Sequence, residues 1–131
     1  MKTWQLDTNV ILRFLRNDDA TQSPQAKALF ARAKAGRLGL RLSVLTVAEV
    51  FYALRASYKL SRPTAAGLLL EFVQTGVTDT EACDVVTDAL RRVVSANVDF
   101  GDAMLAASAV HDAEGVASFD GDFDRFPDVT L

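Results

Sequence analysis

Apolar and polar positions along the chain alternate between a strand-like and a helix-like period. Lys2 to Leu6 reads as a short strand, and Val10, Ile11, Phe14 and Leu15 follow at helical spacing with Arg13 and Arg16 between them. Asn17-Asp18-Asp19 ends that helix. Ser23-Pro24 predicts a second helix, Ser as N-cap and Pro at the first helical position, running through Ala28, Leu29 and Phe30 to a stop at Gly36. Leu40 to Val44 predicts another strand and Thr46 to Tyr58 another helix. Arg62-Pro63 opens a further helix through Leu68, Leu69, Phe72 and Val73, closing near Gly76. Val77 to Ala82 carries a fainter strand pattern, and Asp84 is placed to cap a helix through Val94. Asp99 to Glu114 is the last long helix, with Gly115 as its C-cap. Val116 to Phe119 and, after Pro127, Val129 to Leu131 read as closing strands.

Strands separated by helices of ten or more residues imply crossover units, hence an α/β fold with a mainly parallel sheet and helices on both faces. A length of 131 residues suits one domain, 1–131, with a single core. Half of the residues are hydrophobic and 24% are charged, which excludes disordered and fibrous classes. No apolar run approaches the roughly 20 residues of a bilayer span. Asp7 arrives too early for a signal-peptide core, so a cytoplasmic protein without membrane attachment is expected.

Cys83 is the only cysteine, which excludes an internal disulfide and a cysteine-based zinc cluster; between Ala82 and Asp84 it suits a small, partly buried filler. His111, the only histidine, gives a histidine metal site or a serine–histidine triad little to work with. Any metal site must therefore rely on oxygen. The net charge of −3 argues against holding nucleic acid by broad electrostatics, yet charge is segregated. Arg13, Arg16, Lys27, Arg32, Lys34, Arg37 and Arg41 crowd the first third, and most acids lie after residue 80.

Four acids interrupt or end apolar runs: Asp7 after Leu6, Glu49 in Val47-Ala48-Glu49-Val50-Phe51, Asp102 in Phe100-Gly101-Asp102-Ala103-Met104, and Asp120 after Phe119. An unpaired ionised group there would cost several kcal/mol unless something positive compensates it. A helix from about residue 102 to 114 is roughly 20 Å long, and a strand returning from Gly115 brings Asp120 back to the helix start. Asp7 also ends a strand, and Glu49 follows Val44 by about one helical turn. In a parallel sheet all four gather at the carboxyl rim, where open α/β sheets place their sites. Clustered carboxylates repel, and Mg2+ relieves that repulsion with oxygen ligands and waters; one or two such ions can assist cleavage of a phosphodiester.

Each acid also has a purely structural reading. Asp7 can N-cap the first helix, Asp102 can be the third-position acid of a capping box begun by Asp99, and Asp120 can be a turn residue before Gly121. Glu49 resists this treatment, because Leu45, Val47, Val50, Phe51 and Leu54 make most of its helix look buried.

Leu6-Asp7-Thr8-Asn9-Val10, Thr46-Val47-Ala48-Glu49, Phe100-Gly101-Asp102-Ala103-Met104-Leu105-Ala106-Ala107 and Ser118-Phe119-Asp120-Gly121-Asp122-Phe123-Asp124 occur in the order and spacing of a known family. Over nearly its whole length the chain resembles a PIN-domain ribonuclease, more narrowly a VapC toxin of a toxin–antitoxin pair. The resemblance implies a three-layer sandwich with four or five strands and a metal-dependent endoribonuclease. In it Asp7 and Asp102 are the principal Mg2+ ligands (Mn2+ as substitute), and Glu49 and Asp120 complete the pocket. Asn9 and Ser118 are polar support, Asp124 competes with Asp120 for the fourth place, and Arg13 and Arg16 are candidates for binding RNA. It further implies a homodimer and a small VapB-type antitoxin that covers the pocket, for whose arm Phe14, Leu15, Phe51, Tyr52 and Leu54 offer apolar surface or, as plain core, do not.

Three other classes compete. Asp120-Gly121-Asp122-Phe123-Asp124 imitates a calcium loop, but Arg125 stands where glycine is needed and Leu131 where a bidentate glutamate belongs. A phospho-acceptor domain would want an acidic pair after its first strand and a lysine after its last; Asp7 is followed by Thr8 and Asn9, and no lysine follows Lys59. A catalytically silent PIN-like interaction module keeps the acids without turnover.

Overall fold

A computed structural model describes residues 1–131. Three short strands, β1 (Thr3–Gln5), β2 (Gly39–Leu42) and β3 (Asp79–Thr80), form a parallel sheet in the order β1-β2-β3, with Trp4 opposite Leu40 and Arg41 opposite Asp79. Around it lie α1 (Thr8–Arg16), α2 (Gln22–Lys34), α3 (Val44–Ala56), α4 (Arg62–Gln74), α5 (Cys83–Ala96) and α6 (Phe100–His111), and a short 3-10 turn spans Gly121–Arg125. The α/β fold with a parallel sheet matches the sequence expectation. The strand count does not: Val116 to Phe119 and Val129 to Leu131 form no strand and do not join the sheet, Phe119 sits in a bend, and Val116 N donating to Thr130 O (2.8 Å) links the two segments.

The chain leaves the carboxyl ends of β1 and β2 directly into helices. Asp7 caps α1 and the Ser43 hydroxyl caps α3 by accepting from Thr46 N at 3.1 Å, so both helix starts are anchored to the sheet rim. Leu40 and Leu42 of β2 are buried against Val47, Val50, Phe51 and Leu54 of α3, Leu69 and Phe72 of α4, and Leu90 and Val93 of α5, which belong to one continuous core. Phe14, Phe30 and Phe72 stack edge-on at 4.8 and 5.3 Å and tie α1, α2 and α4 together. No helix is long and apolar enough to cross a membrane.

Several local expectations are corrected. α2 begins one residue before Ser23, which is buried inside it. The Asp19 carboxylate, accepting from Thr21 N (2.9 Å) and Gln22 N (2.7 Å), does the capping predicted of Ser23. α3 starts two residues earlier than the Thr46 boundary because Ser43 is the better cap. α5 starts from Ala82 in a left-handed conformation, with Asp84 in its first turn and not at the cap. α6 ends at His111 and Ala113, not Gly115, takes the left-handed turn; Gly115 instead admits Thr130 O, which a Cβ would meet at 3.1 Å. Cys83 is exposed at the start of α5. His111 holds Asp88 of α5 at 3.3 Å.

Candidate functional site

The four acids reach their places by different local means. Asp7 Oδ1 accepts from Thr8 N at 2.8 Å, so its N-capping role and its place at the end of β1 coincide. Glu49 lies on the exposed face of α3, not among the buried residues that flank it in sequence. Thr8 Oγ1 donates to Glu49 Oε2 at 2.7 Å and makes Asp7, Thr8 and Glu49 a connected unit across α1 and α3.

Asp102 is the third residue of α6, whose N-cap Asp99 accepts from Phe100 N at 3.0 Å. Asp120 Oδ1 accepts from Asp122 N at 2.9 Å, and Asp120 N donates to Ser118 Oγ at 2.9 Å, so the Ser118 hydroxyl and the acid hold the turn before the 3-10 segment. That turn carries Asp120 and Asp122 to the start of α6. One carboxylate oxygen from each of Asp102, Asp120 and Asp122 lies within 4.8 Å of the others. Asp7, Glu49 and Asp124 are exposed and outside this group, so of the four acids expected to converge only Asp102 and Asp120 do so, joined by Asp122. The sequence signal for Asp122 is its place two residues beyond Asp120 in an Asp-Gly-Asp turn, and it becomes legible only once the turn is seen to fold onto α6.

Electrostatics distinguish Asp102 from the rest. Partial burial raises its pKa first; the neighbouring charges of Asp120, Asp99 and Asp122 raise it further, and Arg62 opposes them. No hydrogen bond contributes, so the reciprocal bond of a capping box is not what places this carboxyl. The expectation that all four acids suffer desolvation is corrected: Asp7, Glu49 and Asp120 are solvated, and only Asp102 is partly buried.

Tyr52 connects the two halves. It follows Glu49 by three residues on α3, on the same helix face, and its hydroxyl donates to Asp99 Oδ2 at 3.4 Å at the α6 cap. Its pKa is raised, chiefly by burial and then by Asp99, with Asp102 adding to it. Phe51 packs on Phe100 with ring centroids 5.8 Å apart and fixes α3 against the start of α6 beneath them. Thr8, Tyr52 and Asp99 thus organise the site, though nothing in the spacing of the sequence singles out the first two.

The remaining candidates sit elsewhere. Asn9 lines a shallow groove between α1 and α2 with Arg13, Gln22 and Gln25. Arg13 is engaged by Gln22 (2.9 Å), Tyr58 (3.2 Å) and Asp18 (3.4 Å), and the Arg16 guanidinium lies over the Tyr58 ring at 5.4 Å. Of the apolar residues, Phe51 and Leu54 are core, whereas Phe14 and Leu15 line an open groove of about 470 Å³ with Phe30, Phe72 and Val77, edged by Lys27 and Lys34.

The donor set fits a hard divalent cation. It is all carboxylate oxygen, three donors converge, and repulsion among them is what a cation would relieve. A family model described as PIN domain matches residues 5–129. No curated protein and no solved structure gives a match.

Proposed function

This chain belongs to the PIN-domain family, whose members are typically metal-dependent nucleases, and from that premise we propose that it is a Mg2+-dependent endoribonuclease. The observation that carries the reading is the convergence of Asp102, Asp120 and Asp122 within 4.8 Å at the start of α6. Asp7 and Glu49, joined through Thr8, lie outside that group, and Tyr52, on the face of α3 that carries Glu49, reaches the Asp99 cap beside it.

Asp102, Asp120 and Asp122 would hold the cation from the α6 side, and Asp7 and Glu49 from the α1–α3 side. A bound Mg2+ supplies positive charge to a phosphoryl oxygen and lowers the pKa of a water. The chain's own contribution is placement. Thr8 fixes the rotamer of Glu49, Ser118 fixes the backbone at Asp120, and Tyr52 fixes the cap of α6. A solvated carboxylate such as Glu49 or Asp7 is suited to orient a water and accept its proton.

The finer reading is a VapC-type toxin acting as a homodimer. The groove at Phe14 and Leu15 would receive the arm of a small VapB-type antitoxin, its apolar floor suiting an amphipathic segment and its two lysines, Lys27 and Lys34 against the single acid Glu71, favouring one that carries acids.

The test is incubation of purified protein with end-labelled structured and unstructured RNAs in Mg2+, in Mn2+ and in chelator. Cleavage of single-stranded RNA with either metal and none with chelator is expected. Intact RNA in all three conditions would leave a silent interaction module.

A further inference from the structure

An acidic pocket repels the backbone it is meant to cut, so a nuclease of this kind needs cations beside the pocket. Two guanidinium groups stand there. Arg62 opens α4 and its Nη1 donates to Asn97 O at 3.4 Å; Arg125 closes the 3-10 turn and its Nη1 donates to the same oxygen at 3.3 Å and to Ala96 O at 3.2 Å. Asn97, in a left-handed conformation, ends α5 and lies two residues before the Asp99 cap of α6.

We propose that Arg62 and Arg125 form a phosphate clamp that seats the RNA backbone against the Asp102, Asp120 and Asp122 group. This rests on the ribonuclease reading and names the residues that bind its substrate.

Capping the carbonyls of α5 would be sufficient reason for one arginine. Two like charges drawn to a single oxygen repel each other, and neither guanidinium has a close carboxylate of its own. Arg62 has no carboxylate within ion-pair distance, and its Nε is buried without a hydrogen-bond partner. Arg125 reaches only Asp122 Oδ1, at 3.9 Å, itself one of the three converging acids. An anion placed between the two guanidiniums would meet the terminal nitrogens that Asn97 and Ala96 do not engage, since the buried Arg62 Nε is out of reach of solvent, and arginine presents such nitrogens in a fork suited to phosphate oxygens. Arg125 is tied to the acidic group through Asp122, and Arg62 is the one cation whose charge acts on Asp102, so an anion held there borders the pocket. Arg13, by contrast, already has three partners.

The experiment measures binding and cleavage separately. A fluorescent single-stranded RNA is titrated at several salt concentrations with Ca2+ in place of Mg2+, the larger and less strictly octahedral ion holding the acids while cleavage is suppressed. Wild type is compared with Arg62→Gln, Arg125→Gln, the double variant, Arg125→Lys and a surface-charge control, Arg37→Gln; cleavage is then read separately in Mg2+. For single strands log K falls with log salt by about 0.7 per neutralised phosphate. Each glutamine variant should weaken binding several-fold and flatten the slope by roughly that amount. Arg125→Lys should keep the slope and Arg37→Gln should match wild type. A merely structural role would lower the melting temperature without changing the slope. Arg125 is half exposed, so its variants test the clamp even if Arg62→Gln fails to fold. If wild type cleaves RNA while Arg125→Gln binds with an unchanged slope, the clamp is wrong and the nuclease reading stands. If wild type neither binds nor cleaves, both are wrong.

Discussion

Thr8 Oγ1 and Glu49 Oε2 lie 2.7 Å apart, a hydroxyl donating to a carboxylate across α1 and α3. Because Asp7 caps α1 through the amide of the same threonine, one residue sets the position of two acids. Hydrogen-bonding partners of metal ligands typically contribute 10- to 100-fold in metal affinity. Thr8→Val is therefore expected to weaken Mn2+ binding by about 10-fold, with Thr8→Ser retaining it, as read by calorimetric titration. Stability should change by less than about 0.5 kcal/mol because the pair is exposed. Equal affinities in both variants would remove Glu49 from the site.

Asp102 carries the site's electrostatic load. Its folded pKa is raised by burial and by Asp120, Asp99 and Asp122. A carboxyl with a raised folded pKa contributes stability that is present below the unfolded pKa and is lost as pH rises through the folded value. Asp102→Asn should thus melt higher than wild type at pH 7 in chelator, and that advantage should vanish as pH falls into the carboxylate range. Cleavage should drop by at least about 100-fold at the same time. A variant that melts lower at pH 7 and cleaves normally would return Asp102 to a structural capping role.

What the sequence made legible, and what it did not, follows from how local each signal is. Helix starts written in neighbouring residues, such as Arg62-Pro63 and the Asp99 cap before Phe100, appear where expected. Ser23 failed because Asp19, four residues earlier, outcompetes it for the free amides of α2. The closing strands failed because pairing is non-local: Val116 to Phe119 has suitable apolar residues, yet Phe119 is fully exposed and no strand edge meets it. Asp102 and Asp120 converge as the helix-and-return geometry implies. Of the two candidates for the fourth place Asp120 and not Asp124 joins Asp102, and Asp122 comes with it because Asp120's own side chain tightens the turn. Glu49 looked buried in sequence because its neighbours are apolar, but the helical period puts it on the opposite face.

Arg92 secures the C-terminal segment that follows the acidic turn. Its guanidinium holds Asp128 at 2.6 and 2.8 Å and Asp88 at 3.0 Å and lies over the Phe126 ring at 5.3 Å, with only 12% of its side chain exposed. Asp128 is held below the usual carboxylate range, chiefly by its hydrogen bond to Arg92. A depressed pKa contributes stability present above the unfolded value and lost as pH falls through the folded one. Arg92→Met should therefore cost about 1–2 kcal/mol at pH 7, a range already discounted for the half-exposed Asp128. The difference from wild type should narrow below the ordinary aspartate range. Thermal melts across pH 3 to 7 check this, and a constant difference would assign the effect to packing on Phe126 alone.

Arg13 links three helices through neutral and charged partners: Gln22 on α2, Tyr58 just beyond α3, and Asp18 in the α1–α2 connection. Tyr58 Oη donates to Asp18 Oδ2 at 2.6 Å, which lowers the Asp18 pKa and raises that of Tyr58. Such a triangle is worth more than its separate bonds, because each partner orients the others. Arg13→Gln and Tyr58→Phe are each expected to lower the melting temperature, and the double variant by less than their sum. The coupling should come to about 0.5 kcal/mol or more in a urea-denaturation cycle. Strict additivity would mean that the three groups act independently and that Arg13 is free to serve another role.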